Sequence, residues 1–221
     1  SALRTIHGYL QHRIGLIVDE WGTWHPPTPG RHPDPLWQQN TLRDALAAAL
    51  TLDVFNRQAD KVVMANIAQT VNVLQAMILT EGERFLTTPT YHVFDMYQGH
   101  QGGRGLRALF EADGISFSVD GRIECLPGLS GSASIRGNTL TLSVVNPSAT
   151  DVVEATIELR GGERVSQGKV SLLSAPDVHV HNTFEQPDAV KPATEVLPIE
   201  GSTWRYTFAP ASVSVFHLVL S

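Results

Sequence analysis

Leu16-Ile17-Val18-Asp19-Glu20-Trp21-Gly22-Thr23-Trp24 is the stretch on which the reading of this 221-residue chain turns. Three apolar residues run straight into two carboxylates and two tryptophans. A continuous apolar run of this kind suits a strand buried on both faces, as in a parallel sheet. A carboxylate at the C-terminal end of such a strand suits the mouth of an α/β barrel, where catalytic groups gather. Glu20 is therefore the first candidate for a catalytic carboxylate, with Trp21 and Trp24 as candidate walls of a sugar site. The same run also fits an ordinary buried strand that ends in a solvated acidic turn.

Outward from this strand, placed at about residues 15–19, the flanks differ. Residues 1–13 read as the end of a helix. Pro26, Pro27, Pro29, Gly30, Pro33 and Pro35 make a loop that can be neither helix nor central strand. Thr41-Leu42-Arg43-Asp44 then has the form of a helix start, a capping Thr with an acid three residues on. Leu42, Leu46, Leu50 and Val54 recur every four residues and predict an apolar helical face running to about Gln58. Residues 61–69 read as a second buried strand ending in the polar Asn66, Gln69 and Asn72. Strand, helix, strand in this order is a βαβ unit. After a loop at Glu81-Gly82-Glu83, Thr88-Pro89 opens a short helix that Gly99 can stop.

The glycine-rich segment 98–105 marks a domain boundary, giving domains of 1–103 and 104–221. Beyond it the period changes to two. Ile115, Phe117 and Val119 alternate with serines, and the same alternation runs through Leu140–Val144, Val153–Leu159, Val170–Leu172, Trp204–Phe208 and Val213–Val219. Short alternating strands separated by turn signals predict an antiparallel sandwich. Pro187, Pro192 and Pro198 make the segment 182–198 a long loop or an edge strand.

Composition excludes several classes. The hydrophobic content of 42% supports one large core or two modest ones. A net charge of −6 with no basic run argues against nucleic acid. No apolar stretch approaches spanning length, so no membrane partner is expected. Residues 1–12 lack a signal-peptide pattern, and the chain opens on Ser1, which need not be a native start. The lone Cys125 allows no internal disulfide and no cysteine metal cluster. His179-Val180-His181 would set two imidazoles on one strand face, but further ligands are lacking in the pattern, so no metal is expected. Gly128-Leu129-Ser130-Gly131 misses the nucleophile-elbow spacing, and Gly102-Gly103-Arg104-Gly105 matches no phosphate loop. Trp37 and Trp204 read as core. A glycosidase needs two carboxyls about the scissile bond, and only one strong candidate is present. An eight-stranded barrel needs about 250 residues, and only two of its strands are found.

The blocks Val18–Trp24, Gln38-Gln39-Asn40-Thr41-Leu42-Arg43-Asp44-Ala45, Met64–Ala76 and Pro89–Phe94 resemble, in order, α-L-arabinofuranosidases of glycoside hydrolase family 51. Beyond residue 105 the likeness is looser, with His181-Asn182-Thr183-Phe184 and Pro187 similar to a loop of that family. The resemblance implies the C-terminal portion of a (β/α)8 TIM barrel followed by an antiparallel, jelly-roll-like β-sandwich. It implies a retaining glycoside hydrolase that releases terminal α-L-arabinofuranosyl residues from arabinan, arabinoxylan or their oligosaccharides. In that picture Glu20 is the nucleophile, Gln69 contacts the arabinose, and Trp24 lies on the leaving-group side. The family's acid/base glutamate follows an asparagine, and this chain has no Asn-Glu pair, so that residue is expected on an N-terminal chain or fragment that completes the barrel. No cofactor is implied. A homo-oligomer and a cytoplasmic rather than secreted location are expected. Another retaining barrel glycosidase, endoglucanase-like, and a non-catalytic sugar-binding fragment remain alternatives.

Overall fold

The structure is a computed structural model that describes residues 14–26 and 36–221. The expected helix end over residues 1–13 and most of the proline-rich loop lie outside these residues. Strand β1 (Leu16–Trp21) pairs in parallel with β2 (Val62–Ile67), and helix α1 (Leu42–Arg57) connects them. The start of α1 is fixed as the sequence predicts. The Thr41 N–H donates to Asp44 Oδ2 at 2.8 Å. The next two free amides, of Leu42 and Arg43, donate to the carbonyls of Val180 and Val178, so a distant loop finishes the cap.

The buried face of α1 is Leu42, Ala45, Leu46, Ala48, Ala49 and Asp53, whereas Val54 is exposed. The expected i+4 series therefore leaves the core before the helix ends. Each step of four residues overshoots a full turn by about 40°, and three steps carry Val54 well round the cylinder. The loop expected at Glu81-Gly82-Glu83 is the turn of a hairpin of β3 (Ile78–Glu81) and β4 (Arg84–Thr87), two strands that the sequence did not announce. Helix α2 (Pro89–Met96) starts at Thr88, whose hydroxyl accepts from the Tyr91 N–H. It tightens into a 3₁₀ turn over Tyr97–His100, so Gly99 lies within that turn instead of stopping the helix.

Six strands then form one sheet in the order β12 (Ala193–Leu197), β11 (Val165–Leu173), β14 (Ser212–Leu220), β9 (Thr139–Asn146), β8 (Ser130–Arg136) and β5 (Arg104–Leu106). All its pairings are antiparallel. This sheet is the centre of the molecule. On one face Val145, Val213 and Val215 pack with Leu42, Ala45, Leu46 and Ala49 of α1 and with Val93 and Met96 of α2. On the other, Leu140, Leu142, Val144, Phe216 and Leu218 pack with Ala155, Ile157, Trp204, Tyr206 and Phe208. The latter belong to the antiparallel pair β10 (Val153–Glu158) and β13 (Thr203–Phe208). Phe216 is fully buried and meets Tyr206 and Phe208 edge-on at centroid distances of 4.9 and 6.2 Å. The remaining pair, β6 (Ile115–Val119) and β7 (Arg122–Leu126), is a hairpin with Ile123 exposed.

Strand β1 departs from expectation in one respect. Leu16, Ile17, Val63 and Met64 are all exposed, so the start of the β1–β2 pair is open on both faces, and the pair packs into the helix layer through Trp21 at its C-terminal end. Among the described residues nothing packs on the face away from that layer, and each of the two strands has one unpaired edge.

Candidate active site

Because β1 and β2 are parallel, their C-terminal ends finish at one edge. The register runs Val18 to Ala65 and then Trp21 to Ile67, so Asp19 and Glu20 stand against the single residue Asn66. Such a bulge bends a strand and re-aims its side chains. Glu20 is exposed at this edge. Its neighbour Trp21 turns into the helix layer, stacking on Phe94 at 5.9 Å and meeting Phe55 edge-on at 5.5 Å. Trp21 is thus a packing residue and not a wall of the site, since adjacent strand positions face opposite sides.

The exits of the two strands are stitched together. The Ala68 N–H donates to the Trp21 carbonyl at 2.8 Å, and the buried Gln75 donates from Nε2 to the Ala68 carbonyl at 2.5 Å. A Cβ at residue 22 would collide with the Gln75 amide, which explains the glycine after the tryptophan. Gln69 follows immediately, exposed, at a φ of +68°. A non-glycine residue in that region stores backbone strain, as residues at functional edges often do. Trp24 is 63% exposed. The parallel pairing therefore brings Glu20 and Gln69 to the same edge, and Trp24 follows in the loop that leaves β1 there. A cavity of about 30 Å³ between this edge and α1, lined by Trp21, Gly22, Asp44, Gln75 and Thr90, is far too small for a sugar.

Two residues that sequence reasoning used only as helix punctuation, or as a matching block, prove to hold the loop after β1. Asp44 has a fully buried side chain. Its Oδ1 accepts from the Thr23 hydroxyl at 2.7 Å and lies 2.9 Å from His25 Nε2. Gln38 accepts from the His25 N–H at 3.0 Å and donates to the Thr23 carbonyl at 3.1 Å. The signal available in sequence was the capping pattern at Thr41 and Asp44, which gives no hint of this second use of the carboxylate.

The imidazoles of His179 and His181 do not share a strand face. They lie in the loop whose carbonyls cap α1, with His179 Nδ1 2.9 Å from Asp177 Oδ1 and His181 Nδ1 3.0 Å from the His179 carbonyl. A second polar cluster joins α1 to the six-stranded sheet. Asp53 accepts from Ser143 (2.5 Å), Ser132 (2.7 Å) and Tyr97 (3.0 Å), and burial lifts its carboxyl from 3.8 to about 6. Burial likewise pushes His100 down to about 4, with His217 adding to the effect.

Three comparisons bear on this arrangement. The family model described as Alpha-L-arabinofuranosidase C-terminal domain matches residues 19–212. An intracellular exo-α-L-arabinofuranosidase of Bacteroides ovatus is 42% identical over 182 residues, covering 82% of this chain and 35% of that protein. The crystal structure of a GH51 arabinofuranosidase from Xanthomonas axonopodis pv. citri superposes with a TM-score of 0.86 at 36% identity, over 95% of this chain and 42% of the other. An α-L-arabinofuranosidase from Thermotoga maritima, solved as an arabinose complex, gives 0.83 at 26% identity, over 98% and 45%. The chain thus spans less than half the length of each of these relatives. The blocks around Glu20, α1 and Gln69 and the sandwich that follows them have the sequence and fold of one family: the chain belongs to the α-L-arabinofuranosidases of glycoside hydrolase family 51, as their C-terminal part.

Proposed function

We propose that this chain carries the nucleophile half of a retaining α-L-arabinofuranosidase active site. The observation that carries the reading is the parallel β1–β2 pair. It sets Glu20 and Gln69 at one C-terminal edge and leaves its other face and its outer edges uncovered. Six further strands of a (β/α)8 barrel, supplied by an N-terminal portion or partner, would cover that face and pair those edges. The boundary between barrel and sandwich falls at residues 103 and 104 in this reading.

The chemistry is a double displacement. The Glu20 carboxylate attacks the anomeric carbon, forming a glycosyl–enzyme ester as the glycosidic C–O bond breaks. The leaving oxygen takes its proton from an acid on the N-terminal portion. That group, now a base, takes a proton from water, which attacks the same carbon and releases Glu20. Gln69 donates to and accepts from sugar hydroxyls, and Trp24 borders the leaving group. The substrate is a terminal arabinofuranosyl residue on an oligo- or polysaccharide. The whole enzyme is a homo-oligomer in the cytoplasm, a location supported by the intracellular designation of the Bacteroides relative.

Glu20→Ala in the full-length enzyme tests the assignment. Turnover of an aryl arabinofuranoside should vanish, and azide should restore it with formation of the inverted glycosyl azide. Measurable turnover in the variant, indifferent to azide, would remove Glu20 from the chemistry.

A further inference from the structure

The loop after β1 alternates in a way its sequence does not reveal. Thr23 and His25 are partly buried, while Trp24 between them is 63% exposed. The two flanking residues are tied down from outside the loop. Thr23 is bound through its hydroxyl to Asp44 and through its carbonyl to Gln38. His25 is bound through its ring to Asp44 and through its amide to Gln38. Both anchors are themselves fixed. Gln38 is only 5% exposed, and the other oxygen of Asp44 is occupied by the Thr41 amide and hydroxyl at 2.8 and 3.2 Å. Four bonds on the residues either side of Trp24 remove most of the backbone freedom that would let the indole swing. An exposed side chain on an untethered loop would have to be ordered by the ligand, at a cost in affinity.

We propose that Gln38 and Asp44 are positioning residues that hold Trp24 at the rim of the Glu20 site, and thereby set how strongly the enzyme recognises the sugar on the leaving side of the scissile bond. The inference rests on the function proposed above, and it assigns to that function two residues that touch neither substrate nor reacting atoms. The pre-set indole contributes to binding the leaving sugar and nothing to the bond-breaking itself. Loss of the clamp therefore raises KM for substrates that possess such a sugar and spares substrates that lack it.

Gln38→Leu and Thr23→Val in the full-length enzyme break the clamp and leave the Thr41–Asp44 cap intact. Two substrates are compared: an arabino-oligosaccharide, and α-L-arabinofuranosyl fluoride, whose leaving group is too small to reach Trp24. The expected result is a fall of about tenfold in kcat/KM for the oligosaccharide, expressed in KM, with the fluoride within about twofold of wild type. Hydrogen exchange at the His25 amide should quicken at least tenfold in Gln38→Leu, because its acceptor is gone. An unchanged oligosaccharide kcat/KM, or equal losses on both substrates, would overturn the proposal and reduce both residues to braces of the fold. A wild-type enzyme that turns over neither substrate refutes the proposed function instead. The clamp is then decided by the His25 exchange and by the ¹⁹F line of fluorotryptophan at residue 24, which must shift or broaden in both variants if these bonds hold the indole in place.

Discussion

Asp53→Asn should flatten the pH dependence of stability between about pH 4 and 7. Asp53 is fully buried between α1 and the six-stranded sheet, and the groups that face it are Ser132 and Ser143 from the sheet, Tyr97 from the 3₁₀ turn, and Arg57 one turn along its own helix. Burial raises its carboxyl to about 6, against the lowering effect of the hydroxyls and the arginine. Tyr97, equally buried, is itself pushed well above its ordinary value and stays neutral as a donor. An acid that ionises later in the folded protein binds more protons folded than unfolded between 3.8 and 6. Its contribution to stability is therefore complete below about pH 4 and is lost as the pH rises through 6. At ~1.36 kcal/mol per pH unit between the two values, the loss is about 3 kcal/mol. Asparagine keeps the shape of the carboxylate. Its carbonyl accepts from both serines, and its amide donates to the Tyr97 oxygen, whose own proton turns to the Ala49 carbonyl 3.4 Å away. Urea unfolding of both proteins at half-unit steps from pH 4 to 7.5 measures the difference directly, since every other titrating group is common to the two. The variant should gain on the wild type by about 3 kcal/mol across that range. Parallel stability profiles would show that Asp53 ionises in the folded protein as readily as in the unfolded chain, and the argument from burial would fail.

Gln69→Ala should lower kcat/KM on an aryl arabinofuranoside by about tenfold or more, the loss expected for one or two hydrogen bonds to the sugar, with little change in melting temperature because the side chain is exposed. Asn182→Ala should cost about 2–4 kcal/mol in unfolding experiments. Its buried amide donates to the Thr87 and Val190 carbonyls at 2.9 and 3.0 Å and accepts from the Val190 N–H at 2.7 Å, and alanine leaves all three backbone groups unpaired.

The parts of the fold that were legible in sequence are those whose signal is local. Thr41 and Asp44 announce α1, Thr88-Pro89 announces α2, and the alternations in β10 and β13 survive because one face of each strand meets a hydrophobic layer. Strands β9 and β14, packed on both faces, keep alternation because small or polar residues such as Thr141, Ser143, Ser212 and Ser214 fill the intervening buried positions. Strand β8 was not legible. Its Ser130-Gly131-Ser132-Ala133-Ser134 run lacks large apolar side chains because one face receives polar groups of α1: Arg57 donates to Ser130 and to the Gly131 carbonyl, and Asp53 accepts from Ser132. At Gly131 a Cβ would collide with the Ser143 carbonyl, so even an alanine is excluded there. Strands β3 and β4 have four residues each, too short for a period to register. At the candidate site, Glu20 was proposed from its place at a strand end, and Gln69 and the leaving-side role of Trp24 from a family pattern; the structure adds that Glu20 and Gln69 end neighbouring parallel strands. The role of Trp21 was misread because an aromatic beside a catalytic carboxylate suggests a sugar platform, while the strand pleat dictates the opposite face. Gln38 and the loop-holding role of Asp44 were hidden because both act across a sequence gap that no periodicity spans.

Helix α1 also works as a lever. Near its first turn Asp44 grips the loop that carries Trp24. Two and a half turns later Asp53, Asn56 and Arg57 are bonded to Ser132, Ser143 and Gly131 of the six-stranded sheet. The distance between the two grips is about 14 Å at 1.5 Å per residue. A tilt of about 5° at the sheet end would displace the other end by about 1 Å, an error that costs an active site on the order of 10²-fold in rate. The alignment of the loop beside Glu20 is thus inherited from a β-sandwich with no candidate catalytic residue of its own. Loosening that distant mount would detune the site with every residue of the site still in place.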